Sequence, residues 1–146
     1  MARFSGGAKS TGAGSITLPL MSIYSAAAIS GSLREVGVFN TTATNVDVKL
    51  VRLTSVGTAG AAITPAPQVD RSAAASCTMA NTHTVAPTLG ADLGYRASLG
   101  AAIGSGVIWT FGDRGIEMPV AVTQGIGVII ENGTGQVCQI YFVWDE

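Results

Sequence analysis

Apolar residues in this chain come in short alternating runs separated by clusters of Gly, Asn, Asp, Ser and Thr. Over residues 33–40, Val36 and Val38 share one face, with Glu35, Gly37 and Phe39 on the other. Over residues 46–53, Val46, Val48 and Leu50 oppose Asp47, Lys49 and Val51, and Arg52 breaks the pattern near the end. A period of two is the signature of a strand with one buried face. The Thr/Asn-rich stretch between the two runs predicts a hairpin with a longer loop. Arg34 and Glu35 then face Asp47 and Lys49 across strands, worth a few tenths of a kcal/mol at a surface.

The last third, residues 106–146, carries the strongest strand signals. Ile126, Val128 and Ile130 fall on one face, and Ile129 with glycines on the other. Cys138, Ile140, Phe142 and Trp144 oppose Val137, Gln139, Tyr141 and Val143. That closing run is apolar on nearly both faces, which predicts a central strand. Asn132-Gly133 lies between the two runs and is the strongest hairpin signal in the chain.

Elsewhere the pattern is weaker. Ile16, Leu18 and Leu20 alternate over residues 16–25, but Pro19 donates no ladder hydrogen bond and predicts an edge strand or a bulge. Gly57, Gly60, Pro65 and Pro67 break any regular element over residues 55–81. A loop of that length is expected to lie across a sheet face or a subunit contact, with Asp70 capping one helical turn. Residues 89–102 are Gly/Ala-rich, anchored by Tyr95 and Leu99, and periodicity does not decide their state. Residues 1–14 have almost nothing to bury except Phe4. They are read as a flexible or partner-binding arm, with Arg3, Phe4 and Lys9 as candidate contacts to other subunits or to a coat protein. Seven to nine short strands with turns between them, and no long amphipathic helix, predict an all-β chain. The expected fold is an antiparallel β-sandwich or jelly roll over residues 15–146, with an extended amino-terminal arm.

Composition sharpens this picture. Only 12% of residues are charged while 47% are hydrophobic, and mean hydropathy is +0.42. Every apolar run is interrupted well short of the roughly 18–20 residues of a membrane span. Low charge leaves little to keep a lone subunit soluble, so part of the surface is expected to face other subunits. Net charge is −1, without the basic excess that draws nucleic acid or a polybasic cluster for a membrane surface. The start of the chain lacks a signal-peptide pattern, so synthesis in the cytoplasm is expected, with Cys77 and Cys138 as reduced thiols. Cys138, inside an apolar run, reads as a small core side chain.

Candidate chemistry is sparse. His83 is the only histidine and its neighbours are threonines, so it reads as a polar structural residue. Asp92, Asp113 and Glu117 are scattered through turn-like segments and share no motif. Gly125-Ile-Gly and Gly104-Ser-Gly lack the strand–loop–helix context and the Lys-Ser/Thr ending of a phosphate loop. There is no Gly-x-Ser-x-Gly elbow, and the cysteine spacing fits no zinc site. Trp109, Trp144 and Tyr141 would make a sugar platform if they faced outward; inside apolar strands they read as core. No catalytic residue, cofactor or metal ligand is assigned.

Several segments together resemble small virion proteins of tailed bacteriophages: Arg34-Glu-Val-Gly-Val-Phe-Asn-Thr-Thr-Ala-Thr44, Leu50-Val-Arg-Leu-Thr54, Asn81-Thr-His-Thr-Val-Ala-Pro-Thr88, Ile108-Trp-Thr-Phe-Gly-Asp113 and Tyr141-Phe-Val-Trp-Asp-Glu146, with the Gly/Ser-rich amino terminus. The resemblance implies a small β-sandwich that decorates or cements a capsid, commonly as a trimer. The expectation is a non-enzymatic capsid decoration protein on the virion surface, whose partners are the major capsid protein and two further copies of itself. A tail or head-to-tail component is the structural alternative, and a carbohydrate-binding module the alternative of another class.

Overall fold

The computed structural model describes residues 1–69 and 73–146. These contain twelve strands and no helix: β1 (Arg3–Lys9), β2 (Met21–Tyr24), β3 (Gly31–Asn40), β4 (Val46–Leu53), β5 (Ala62–Ile63), β6 (Ala66–Pro67), β7 (Thr78–Ala80), β8 (Leu89–Leu99), β9 (Gly106–Thr110), β10 (Ile116–Met118), β11 (Gly125–Asn132) and β12 (Cys138–Asp145). One sheet runs β10–β3–β12–β1–β6, with β9 also pairing β3. The other runs β5–β7–β2–β11–β4–β8. Every pairing is antiparallel, and the two sheets pack into a β-sandwich.

The period-two pattern sets the core. Val36, Val38, Val46, Val48, Leu50, Ile126, Val128, Ile130, Cys138, Ile140, Phe142 and Trp144 all point inward and are buried in one cluster. Each large apolar side chain taken from water there contributes about 1.5–3 kcal/mol. The central placement expected of the closing run holds, since β12 lies between β3 and β1.

Both expected hairpins are corrected. β3 lies in one sheet and β4 in the other, and β11 and β12 are split in the same way. Eight of the consecutive strand pairs cross between the sheets, among them β1/β2, β3/β4, β8/β9 and β11/β12, whose members lie in matching order. The neighbours β1–β12–β3–β9 in one sheet are therefore matched by β2–β11–β4–β8 in the other. At the β3/β4 crossing the Asn40 side chain turns the chain. Its Oδ1 accepts from Thr42 N at 3.0 Å, and its Nδ2 donates to Thr44 O at 2.6 Å and Gly100 O at 3.1 Å. Such a side-chain turn competes with the ladder and redirects the backbone. At the β11/β12 crossing Gly133 has φ +72, as a tight turn requires, but residues 133–137 then travel to the opposite sheet.

The amino-terminal arm is corrected too. Residues 3–9 are β1, paired along their whole length with β12 from Arg3↔Asp145 to Lys9↔Gln139, and with β6 on the other side. Backbone pairing, not side-chain burial, accounts for most of this strand. Gly6 and Gly7 look empty in sequence because neighbours fill their space. A Cβ on Gly6 would meet Met79 Sδ at 2.5 Å, and one on Gly7 would meet Ile140 O at 2.7 Å. β2 is also not an edge strand; it lies between β7 and β11, and Pro19 precedes it.

Within the weak stretch 55–81, β5 and β6 pair at the edges of opposite sheets, so the chain steps along one side of the sandwich. Pro67 sits in the edge strand β6, where a missing N–H costs least. Residues 54–61 lie over the outer face of the second sheet, where Val56 and Leu89 pack on Tyr24, Val51, Leu53 and Ile129. The helical turn expected at Asp70 falls outside the described residues. The undecided stretch 89–102 begins with β8, an 11-residue edge strand.

Candidate interaction surfaces

The first surface is charged and sits where the chain ends meet. Ala2 and Glu146 exchange two backbone hydrogen bonds of 2.8 and 3.0 Å, continuing the β1–β12 ladder. Next to them the Asp145 carboxylate is shared by two arginines: Arg3 donates from Nε at 2.7 Å and Nη2 at 3.0 Å, and Arg34 from Nε at 2.7 Å. Arg34 also donates to the Gly112 and Asp113 carbonyls. The hydrogen bonds from Arg3, and then those from Arg34, hold Asp145 below the ordinary carboxylate range against the opposing effect of burial. An open groove of about 460 Å³ runs past this cluster, lined by Arg3, Arg34, Glu35, Thr110, Phe111 and Asp113 among others. Its charges are largely answered within the chain, so the cluster reads first as a clasp between β1, β3 and β12.

Glu146 is a second clasp. Burial pushes its carboxyl up, but the N–H groups of Ser76 and Cys77 and the indole of Trp144 outweigh that and leave it lowered. These three donors lie at 2.5, 3.0 and 3.0 Å. The last residue thus pins the segment leading into β7.

The second surface is apolar. Residues 25–30 (Ser-Ala-Ala-Ala-Ile-Ser) and 119–124 (Pro-Val-Ala-Val-Thr-Gln) contain no charged side chain, and the structure joins them into one tip. The buried Ser25 is the fastener. Its Oγ meets the Pro119 carbonyl, the Ala121 carbonyl at 2.9 Å and the Gln124 carbonyl at 3.1 Å, and its N–H donates to Gln124 O at 3.1 Å. Ala26 N donates to Ile29 O at 3.2 Å and Gln124 N to Ala121 O at 3.0 Å, so both loops are internally braced. Val120 and Val122 stand 52% and 57% exposed on this braced tip, and Ile29 in the other loop is partly exposed as well. Apolar side chains held out by a fixed backbone lose little entropy when a partner covers them. Sequence reading missed this surface because the two segments are nearly ninety residues apart; the signal was the absence of charge in both.

The residues singled out in sequence fall as follows. Of the candidate contacts, Phe4 is not presented to a partner: it is 2% exposed and stacks on Trp144 with centroids 5.9 Å apart. Arg3 has half its side chain exposed but is paired with Asp145. Lys9 is exposed. Trp144 and Trp109 are both buried, so neither forms an outward platform. Tyr141 lies on the outer face of the first sheet, covering Gly37 and stacking on Phe39 at 6.4 Å. Its hydroxyl donates to Glu35 Oε1 at 2.6 Å. Burial and then Glu35 push it up to about 12.

His83 is buried, with Nε2 2.7 Å from Ser22 Oγ and its ring 6.2 Å from Tyr24. Cys77 and Cys138 are free and buried, and burial pushes them up to about 12 and about 11, Cys77 with help from Glu146. Asp92 is engaged with Lys49 and Arg96 on β4 and β8. Asp113 and Glu117 line a different groove with Arg34 and Arg114, so the fold does not gather the three carboxylates. Among the described residues no three His, Cys, Asp or Glu side chains are grouped to hold a metal ion, and no helix is long and apolar enough to cross a membrane.

No family model, no curated protein and no solved structure matches this chain.

Proposed function

We propose that the protein is a non-enzymatic structural component of a phage particle, a capsid decoration protein that binds the coat lattice and also associates with itself as a trimer. The single observation carrying this reading is the braced, charge-free tip with Val120 and Val122 exposed. Its natural use is burial against an apolar recess of another protein. Two further features support it. The segment resemblance points to small virion proteins. The strand order, with β1–β12–β3–β9 of one sheet matched by β2–β11–β4–β8 of the other, supports the jelly-roll reading of the fold. The mechanism is mechanical: each copy covers apolar surface across neighbouring coat subunits, and the shell gains the resistance those contacts supply.

The self-association half of the reading is tested by light scattering at several protein concentrations. A mass of three chains, constant on dilution, is expected. A monomer at every concentration would remove the trimer and restrict self-contact to the lattice. The tip is tested with the double variant Val120→Asp/Val122→Asp. Both positions are exposed loop sites, so the melting temperature is expected to stay within a few degrees of wild type. Partner binding is expected to fall at least tenfold, because each carboxylate must be desolvated to enter an apolar recess. Undiminished binding by a folded double variant would rule the tip out as the contact.

A further inference from the structure

The covering of the second sheet contains a titratable group with one nitrogen unanswered. Residues 54–61 and 81–88 run side by side over the outer face of that sheet. Thr58 N donates to Val85 O at 3.2 Å, Thr84 N to Thr58 O at 2.9 Å, Asn81 N to Ala61 O at 2.9 Å and Thr54 N to Thr88 O at 3.0 Å. Together they form a flap. Beneath it lies a small apolar cluster of Tyr24, Val51, Leu53 and Ile129, separate from the main core. The Tyr24 hydroxyl reaches Ser55 O at 3.1 Å and so ties the sheet to the flap.

His83 is the polar rivet of this flap. It is 2% exposed. Its backbone N–H donates to Pro19 O at 3.2 Å, and its Nε2 pairs with Ser22 Oγ on β2 at 2.7 Å. Its Nδ1 is buried and, among the described residues, has no hydrogen-bond partner. The groups that face the ring are Ser22 and Tyr24 from β2, Pro19 before it and the Val56 backbone in the flap. Tyr24 is the only titratable one among them. Burial pushes it up to about 12, so it is neutral whenever the histidine titrates. Among the described residues no charged side chain acts on the imidazole. Burial pulls its affinity for a proton down, and the Val56 backbone opposes this only in part.

We propose that the flap formed by residues 54–61 and 81–88 is a pH-sensitive latch, closed over the second sheet while His83 is neutral and released when the imidazole takes a proton. A neutral ring leaves Nδ1 as an unpaired site of modest cost. A protonated ring has two N–H donors answered only by Ser22 Oγ and, in part, by the Val56 backbone; it has no carboxylate beside it, and water is within reach only if the flap lifts. The sign follows from the direction of the shift. The closed state disfavours the proton, so the flap's stability is fully present above the ordinary histidine value of about 6.5. It is lost as pH falls from there toward the lower value of the closed state. Lifting bares Tyr24, Val51, Leu53 and Ile129, so acidification exposes an apolar surface that neutral pH hides.

The test is amide hydrogen exchange on the intact protein between pH 7.5 and 5.0, corrected for intrinsic rates. The reporters are the N–H groups of Thr58, Asn81 and Thr84, with Ile126 and Val128 in the core as internal controls. Opening of the flap is expected to rise by up to tenfold per pH unit below about 6.5, the limit for one proton, while the core amides stay level. In His83→Gln, which does not titrate, the pH dependence is expected to vanish. Flat flap exchange in the wild type would overturn the proposal, and so would an unchanged pH dependence in a folded His83→Gln variant. If that variant does not fold, the wild-type imidazole decides. As the only histidine it gives a single NMR titration, whose midpoint must lie below about 6.5, with flap exchange rising as pH falls from about 6.5 toward that midpoint. A normal midpoint without flap opening overturns the latch.

Discussion

Removal of residues 1–9 is expected to abolish the native fold, not to trim a tail. The deletion takes out β1, which pairs β12 along its full length, and it leaves a central strand with one bare edge. It also removes Phe4 from its stack on Trp144 and Arg3 from Asp145, leaving the Asp145 carboxylate to Arg34 alone. The narrower version is Phe4→Ala. Phe4 belongs to the main core, and truncating a buried aromatic costs about 3–5 kcal/mol. For a domain of this size that is a fall in melting temperature on the order of 10–15 °C. Thermal unfolding followed by near-ultraviolet circular dichroism reads both. A truncated protein that melts cooperatively near the wild-type temperature would show that β1 is dispensable. Under the arm reading that would have been the expected result.

Gly135→Val is expected to destabilise by about 3 kcal/mol, at the upper end of ordinary overpacking. A Cβ here would collide with the Ala13 carbonyl and lie 2.6 Å from the Gly14 carbonyl. Both obstacles are backbone and cannot rotate away. Gly133→Asn is the control: the position has φ +72, nothing lies within 4 Å of its added Cβ, and Asn tolerates that conformation. Its cost should stay below about 1 kcal/mol. The pair separates the two connections that the sequence allows. In a tight hairpin, Asn132-Gly133 would be the sensitive site and Gly135 a loop residue. In the crossing, the chain passes close over residues 13–14 and Gly135 becomes sensitive. Urea midpoints of the two variants give the order, and a Gly135→Val midpoint at the wild-type value would argue for the hairpin.

What the sequence made legible was the local alternation. Val46 to Leu53 has the same bounds in sequence as β4 has in the fold, and the residues that share a face in β3, β11 and β12 were grouped correctly, because period two is imposed by each strand's own geometry. The all-β sandwich followed from the number of such runs. Which strands pair did not follow. Val36–Val38 and Val46–Leu50 have the same pattern whether they face each other across the core or lie side by side, since both arrangements bury the same residues. Turn chemistry at Asn40 and Asn132-Gly133 pointed to hairpins, and non-local contacts overrode it. β1 was hidden because Gly6 and Gly7 contribute no side chain; the space is filled by Met79 and by the β12 backbone, from distant parts of the chain. Of the candidate surfaces, Arg3 was visible as a charge, but its partner Asp145 was not. The apolar tip needs residues 25–30 and 119–124 together, and only the fold supplies that. The core reading of the tryptophans and of Cys138, and the structural reading of His83, agree with their burial.

The decisive measurement for the proposed decoration role is co-sedimentation of the purified protein with empty tailed-phage coat shells, alongside the Val120→Asp/Val122→Asp variant. The account predicts saturable binding by the wild type at a copy number fixed by the lattice, and shells left largely bare by a folded double variant. Shells that stay bare with the wild type, at concentrations well above those in a lysate, would contradict the decoration role.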